Sequence, residues 1–236
     1  MALILSIETG TDICSVALSR NGRLISLRES TEGRHHAQNL GIYIEEIFRE
    51  IGIDAEELDA VAVGMGPGSY TGLRIGVSMA KGLCYGTGKP LIAVSSLKAM
   101  ACVALEDHDA GILDVENMEQ AFLCPMIDAR RMEVYAQVFD SALNPQTEVE
   151  AMIVGEDSFA DILARRELVI FGSGAPKCEA VIRNPNLRAV SVYPSARGMA
   201  GLAEEAYRAK DFADVAYFEP FYLKDFVVTA SRKKMF

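Results

Sequence analysis

Gly64-Met65-Gly66-Pro67-Gly68-Ser69-Tyr70-Thr71-Gly72-Leu73-Arg74-Ile75-Gly76 follows the apolar run Ala60-Val61-Ala62-Val63 and opens into a helical pattern. Glycine admits positive φ and close backbone approach, proline stiffens a turn, and Ser69 or Thr71 can cap a following helix. The stretch therefore reads as strand, tight turn and helix N-terminus, an arrangement that meets either an anion or another length of backbone. The helix is predicted over about residues 71–85 and stops at Gly86-Thr87-Gly88-Lys89-Pro90.

Upstream, Leu3-Ile4-Leu5-Ser6-Ile7 is a β-rich run that ends in Glu8-Thr9-Gly10-Thr11, and Ile13 to Leu18 returns as a second strand. Asn21-Gly22 then signals a hairpin into a third strand, Arg23 to Arg28. From His35 to Ile51 the period changes: Leu40, Ile44, Ile47, Phe48 and Ile51 recur at helical spacing, with Gly52 placed as a C-cap. Downstream of the glycine-rich stretch, Leu91 to Val94 is a short strand and Ser95 or Ser96 caps a third helix.

The second half opens as the first does. Ala121 to Ile127 is a strand ending in an acid, Asp128, followed by Ala129-Arg130-Arg131 and return strands at Met132 to Phe139 and Glu148 to Val154. Helices are expected at about Asp157 to Arg166, Pro176 to Arg183 and Ser195 to Lys210, with the strand Leu168 to Phe171 and the turn Gly172-Ser173-Gly174 between the first two. Phe218 to Phe226, with Pro220, reads as an extended tail. The pattern predicts an α/β protein of two duplicated βββαβα-type lobes, residues 1–107 and 108–236, with the tail from about 215 packing back on the first lobe.

Composition narrows the function classes. At 236 residues, half of them hydrophobic, the chain can bury one large core or two modest ones. A net charge of −10 argues against an autonomous nucleic-acid binder, because phosphate contacts need clustered Lys and Arg. The cluster Arg232-Lys233-Lys234 reads as a solvated tail. Five widely spaced cysteines without a Cys-x-x-Cys pair, no apolar run of membrane-spanning length and no leader pattern point to a cytoplasmic protein with no membrane association.

Two strand-end acids, Glu8 and Asp128, beside Thr- or Arg-containing turns are what a cleft-binding nucleotide fold needs, with turn amides to cradle phosphates. Local capping or pairing of the two acids explains the same residues, and Gly172-Ser173-Gly174 alone is equally a plain turn. The histidines, His35, His36 and His108, contain no His-Glu-x-x-His pair and support neither a zinc site nor a protease triad.

Gly66 to Gly76 with Ala80-Lys81-Gly82-Leu83, Arg34-His35-His36, Asp128 to Tyr135 and Pro220 to Lys224 together resemble the TsaB (YeaZ) family. These are relatives of the threonylcarbamoyl transferase TsaD, and the resemblance runs over nearly the whole chain. It implies the actin-like, sugar-kinase and Hsp70 type of ATPase fold. The catalytic relative carries His-Leu-Glu-Gly-His where this sequence has Ser96-Leu97-Lys98-Ala99-Met100. A hydroxyl and a thioether replace its metal-binding imidazoles, so no metal is expected there. Relatives also usually place Asp at Glu8, which weakens the case for a catalytic phosphate site.

The resemblance implies a non-catalytic scaffold and activator in the synthesis of N6-threonylcarbamoyladenosine (t6A) in tRNA. Its partners would be a TsaD-like transferase and a TsaE-like P-loop ATPase, with tRNA reached through the complex and a homodimer formed when the chain is alone. The two N-terminal helices would dock, through Leu40, Tyr43, Ile44, Ile47, Gly72, Arg74, Gly76 and Val77. Glycines inside a helix cost about 1 kcal/mol each relative to alanine, so they imply close contact with either the lobe's own sheet or a partner. No cofactor is required by this reading. Glu8, Thr9, Arg34, His36, Gly66, Gly68, Ser69, Thr71, Asp128, Gly172 and Gly174 would be a vestigial site, or would hold ATP or ADP at the subunit junction. The competing reading is an ATP-dependent phosphotransferase or ATPase of the same fold, using its own nucleotide cleft.

Overall fold

The structure, a computed structural model, describes residues 2–31 and 35–223. Strands β1 (Leu3–Glu8), β2 (Cys14–Arg20) and β3 (Arg23–Ser30) form an antiparallel meander. Asn21 and Gly22 turn its hairpin with φ of 53° and 74°, the left-handed pair for which Asn-Gly is suited. Helix α1 (His36–Ile51) crosses back to β4 (Ala60–Gly66), and α2 (Tyr70–Thr87) to β5 (Leu91–Ser95). Both strands run parallel to β1, giving the order β3-β2-β1-β4-β5.

Four helix ends in the first lobe are set by local chemistry. Gly52 and Gly88 take left-handed φ of 75° and 70° as C-caps of α1 and α2. Ser69 accepts the Gly72 N–H to open α2, and Ser95 accepts the Lys98 N–H to open α3 (Ser96–Asp109).

After α3 the pattern repeats. Strands β6 (Phe122–Asp128), β7 (Glu133–Ala136) and β8 (Glu150–Ile153) form a second meander. Helices α4 (Ala160–Leu163) and α5 (Ala175–Val181) lead to β9 (Leu168–Phe171) and β10 (Leu187–Ala189), both added in parallel. The second sheet, β10-β9-β6-β7-β8, thus has the topology of the first, and the two lobes are a topological duplication.

Local expectations differ in the second lobe. The helix expected over residues 157–166 is the single turn α4, and β7 is only four residues long. The helix from Ser195 begins as a 3-10 turn, Ala196–Met199, before α6 (Ala200–Ala209). Residues 224–226 of the expected tail lie outside the described residues.

The first sheet is covered on both faces. Leu5, Ile7, Val16, Leu18, Val61 and Val63 face α1 and α2, while Ile4, Ala17, Ala62, Ile92 and Val94 face Ala99 of α3 and Met199 and Ala203 at the start of α6. Helix α6 therefore lies on the first sheet although it follows the second in sequence, and the 107/108 division cuts the last turn of α3. From α6 the chain returns along the first lobe: Ala213 N–H donates to Leu91 O at 2.8 Å, Lys81 Nζ to the Ala216 and Phe218 carbonyls at 3.1 Å, and Phe221 N–H to Met65 O at 2.8 Å.

Candidate functional site

Four strand-end and loop segments meet at the end of β1. Glu8 closes β1 with its side chain folded inward and 1 % exposed. Its carboxylate accepts the Gly10 N–H at 2.6 Å and the Ser96 hydroxyl at 2.7 Å. It lies flat on Gly64, where a Cβ would come within 2.7 Å of its Cδ. Burial pushes the Glu8 carboxyl above its ordinary range, and the Gly10 and Ser96 hydrogen bonds pull it partly back. The Glu8 carboxylate is thus turned away from solvent and bonded to the chain's own donors.

The glycine-rich loop is spent on the same turn. A Cβ on Gly68 would lie 2.9 Å from Gly10 Cα, and one on Gly72 or Gly76 would lie under 3.0 Å from Thr9 O or Thr9 Oγ1. Ser69 N–H donates to Gly10 O at 2.7 Å and the Thr9 hydroxyl to Gly72 O at 2.8 Å. Of its two possible roles, the helix N-terminus takes the second: it meets backbone. His36, at the start of α1, fastens the turn from the other side through Nε2–H to Thr11 O at 2.7 Å. Gly66, with φ of 102°, packs against the Phe221 carbonyl, and Thr71 is exposed. Arg34 lies outside the described residues.

The positions of the relative's metal ligands are equally filled. Ser96 is 1 % exposed and bonded to Glu8; Met100 is fully buried, its sulfur 2.7 Å from where a Cβ on Gly172 would stand. One is a neutral hydroxyl already donating, the other a thioether in the core, and neither suits a hard or borderline cation. Among the described residues no three His, Cys, Asp or Glu side chains converge to hold a metal ion.

In the second lobe, Asp128 is exposed, held by Lys177 Nζ at 3.0 Å and by the Arg130 N–H at 2.6 Å. Gly172, half-buried at φ 90°, packs against the Met126 carbonyl and Met100, and the buried Gly174 against Met126 and Val134, so both are close-packed turn residues. Asp128 and the Gly172 turn adjoin through Asp128 N–H to Ser173 Oγ at 3.0 Å, but Glu8 is closed away beneath its own lobe.

The docking face needs correction. Leu40, Ile44 and Ile47 are 0–6 % exposed and form the core stripe of α1, and Gly72, Gly76 and Val77 are the buried face of α2. These six serve the fold, because burying the apolar stripe against β1, β2 and β4 is what holds the helices on the sheet. Tyr43 is half-buried and Arg74 is exposed. What the helices present outward is Ile42 at 52 %, Tyr85 at 88 % and a groove of about 760 Å³ lined by Ala37, Tyr70, Arg74, Ile75, Met79 and Leu83. Gly82 lines it too, with open space where a Cβ would stand. At its mouth Arg74 lies 4.5 Å over the Tyr70 ring and its Nε donates to the Tyr222 hydroxyl at 3.3 Å. Tyr222 lies in the Pro220 to Lys224 stretch that carries the family resemblance, but it is not among the expected docking residues. Burial also pushes the Cys14, Cys84 and Cys178 thiols up to about 11, so these three are not nucleophiles near neutrality.

Residues 29–164, more than half the chain, match the family model of TsaD, the tRNA N6-adenosine threonylcarbamoyltransferase. The tRNA threonylcarbamoyladenosine biosynthesis protein TsaB of Haemophilus influenzae is 40 % identical over 132 residues, 56 % of this chain and 51 % of that protein. The solved structure of YeaZ from Pseudomonas aeruginosa superposes with a TM-score of 0.78 at 26 % identity, covering 94 % of this chain and all of that one. The chain belongs to the TsaB (YeaZ) family. A tRNA N6-adenosine threonylcarbamoyltransferase from Solidesulfovibrio magneticus is 29 % identical over 59 % of this TsaB-family chain and 45 % of its own. The chain spans about half the length of the curated relatives it matches, so the family is shared through this part. Among the described residues of this family member no helix is long and apolar enough to cross a membrane.

Proposed function

We propose that this TsaB-family chain is a non-catalytic, activating subunit in t6A synthesis, docking a TsaD-like transferase through the outward face of α1 and α2. The observation that carries the reading is the closure of the first lobe. Glu8 is buried on Gly64 and capped by Ser96, the loop amide of Ser69 is bonded to Gly10, and Met100 fills the space under Gly172. An acid, a loop amide and a metal position bonded or packed against the chain's own atoms speak for this reading, as do Ile42 and Tyr85, large apolar side chains exposed on α1 and α2.

A TsaE-like P-loop ATPase completes the assembly in this reading, and tRNA is reached through the complex. ATP or ADP, where bound, sits at the subunit junction, and the chain alone forms a homodimer through the same face. The test is to mix the purified chain with the transferase and follow the pair by size-exclusion chromatography, with calorimetric titration of ATP into the chain alone. A co-eluting pair and no heat of ATP binding support the reading. Tight Mg-ATP binding by the isolated chain would overturn it in favour of a phosphotransferase.

A further inference from the structure

The turn joining β6 to β7 departs from ordinary hairpin chemistry. Arg130 and Arg131 both take left-handed backbone conformations, φ 72° and 50°, a region that disfavours residues with a Cβ. The β2–β3 hairpin builds its own positive-φ pair from Asn21 and Gly22, the residues best suited to it. Two arginines are therefore kept where Asn and Gly would fold more readily.

The turn is fastened at its base. Ala129 N–H donates to Glu133 O at 3.0 Å, Glu133 N–H to Arg130 O at 3.1 Å and Arg130 N–H to Asp128 Oδ1 at 2.6 Å. Lys177 Nζ donates to the Arg131 carbonyl at 2.8 Å and the Glu133 carbonyl at 3.0 Å while answering the Asp128 carboxylate at 3.0 Å. With Asp128 satisfied in this way, the two guanidinia are left without an ion pair among the described residues, and both residues are exposed. Arg28, Arg197 and Arg208, by contrast, each hold a carboxylate. The turn also stands at the C-terminal end of β6 beside the Gly172–Gly174 turn after β9, the side on which open α/β sheets hold their ligands.

We propose that the Arg130–Arg131 turn is a phosphate-binding element that grips the sugar-phosphate backbone of tRNA in the assembled complex; this rests on the t6A reading above. A chain of net charge −10 has no general attraction for RNA, so a contact must come from a local, rigid presentation of donors. Two guanidinia on a pinned turn provide it, because their fork of N–H donors matches phosphate oxygens. The phosphates of ATP share that chemistry, and the experiment separates the two sources.

The test variant is Arg130→Asn with Arg131→Gly, which removes both charges and gives the turn residues that prefer its backbone. The chain carrying both substitutions should melt higher, by about 2–4 °C. Its complex with the transferase should bind tRNA about 10-fold more weakly in filter binding, with a log–log salt slope shallower by about 1–2. Arg183→Ala, an exposed arginine elsewhere, should change neither. Opposite movements of stability and RNA affinity are what a merely structural turn would not produce. Unchanged tRNA affinity and slope, an equal loss with Arg183→Ala, or a loss confined to ATP binding would each overturn the inference while leaving the activator reading intact if modification persists. Failure of the unsubstituted chain to form any complex would overturn both.

Discussion

Replacing Gly72 with alanine and, separately, Gly82 with alanine makes opposite changes within one helix. Both lie in α2, and on helix propensity alone each substitution should stabilise by up to about 1 kcal/mol. At Gly82 nothing stands within 4 Å of the new methyl, so the full gain is expected, a rise of about 2–4 °C in Tm. At Gly72 the methyl would fall under 3.0 Å from Thr9 O. Restoring ordinary contact would need α2 to withdraw by about 1 Å from the β1 turn. Overpacking of this kind costs about 1–3 kcal/mol. The withdrawal also strains the Thr9 hydroxyl bond to Gly72 O, now 2.8 Å, a further contribution of about 1 kcal/mol. Net of the propensity gain, Gly72→Ala should destabilise by about 2 kcal/mol, leaving the two variants about 3 kcal/mol apart. Urea melts followed by circular dichroism at unchanged m-value measure this. A Gly72→Ala protein as stable as Gly82→Ala would refute the account that these glycines serve the chain's own β1 turn.

Other expectations follow from the same geometry. Ile44→Glu places a charge in a position 6 % exposed and should unfold the first lobe, whereas Ile42→Glu, at 52 % exposure, should leave Tm within about 1 °C and lower co-elution with the transferase. Equal effects of the two on stability would refute the assignment of faces on α1. Because burial raises the folded-state pKa of Glu8 above 4.5, its contribution to stability is fully present below that pH and is lost as pH rises through the folded value. Glu8→Gln removes the titration, so its urea midpoint should gain on the unsubstituted protein as pH rises above 4.5. Parallel pH profiles would contradict a raised Glu8.

Much of the frame was legible because its punctuation is chemical. Asn21-Gly22, Gly52, Gly88 and Ser95 each mark a φ angle or a cap that few other residues supply, and the structure uses all four. The duplication was legible through strand order and acid placement. Strand β10 was not, since Leu187–Ala189 is only three residues long and follows Pro185, and its pairing with β9 is a tertiary fact. Nor was the position of α6 on the first sheet, which sequence order conceals. At the site, family likeness groups Glu8 with Gly68, sets Gly72 on a docking face and treats Ser96 only as a replaced metal ligand, whereas the structure brings the four together. Sequence could not say that their atoms fill the space between them, because the direction of one side chain decides that. The same limit hid the split of α1: a helical stripe of Leu40, Ile44 and Ile47 identifies an apolar face, and only the sheet beneath identifies it as core.

The most direct measurement is t6A formation on tRNA by the transferase, the P-loop ATPase and threonylcarbamoyl-adenylate, with and without this chain. The account predicts little or no t6A in its absence, restoration on adding it, and loss again with Ile42→Glu. Formation at the same rate without the chain would contradict it.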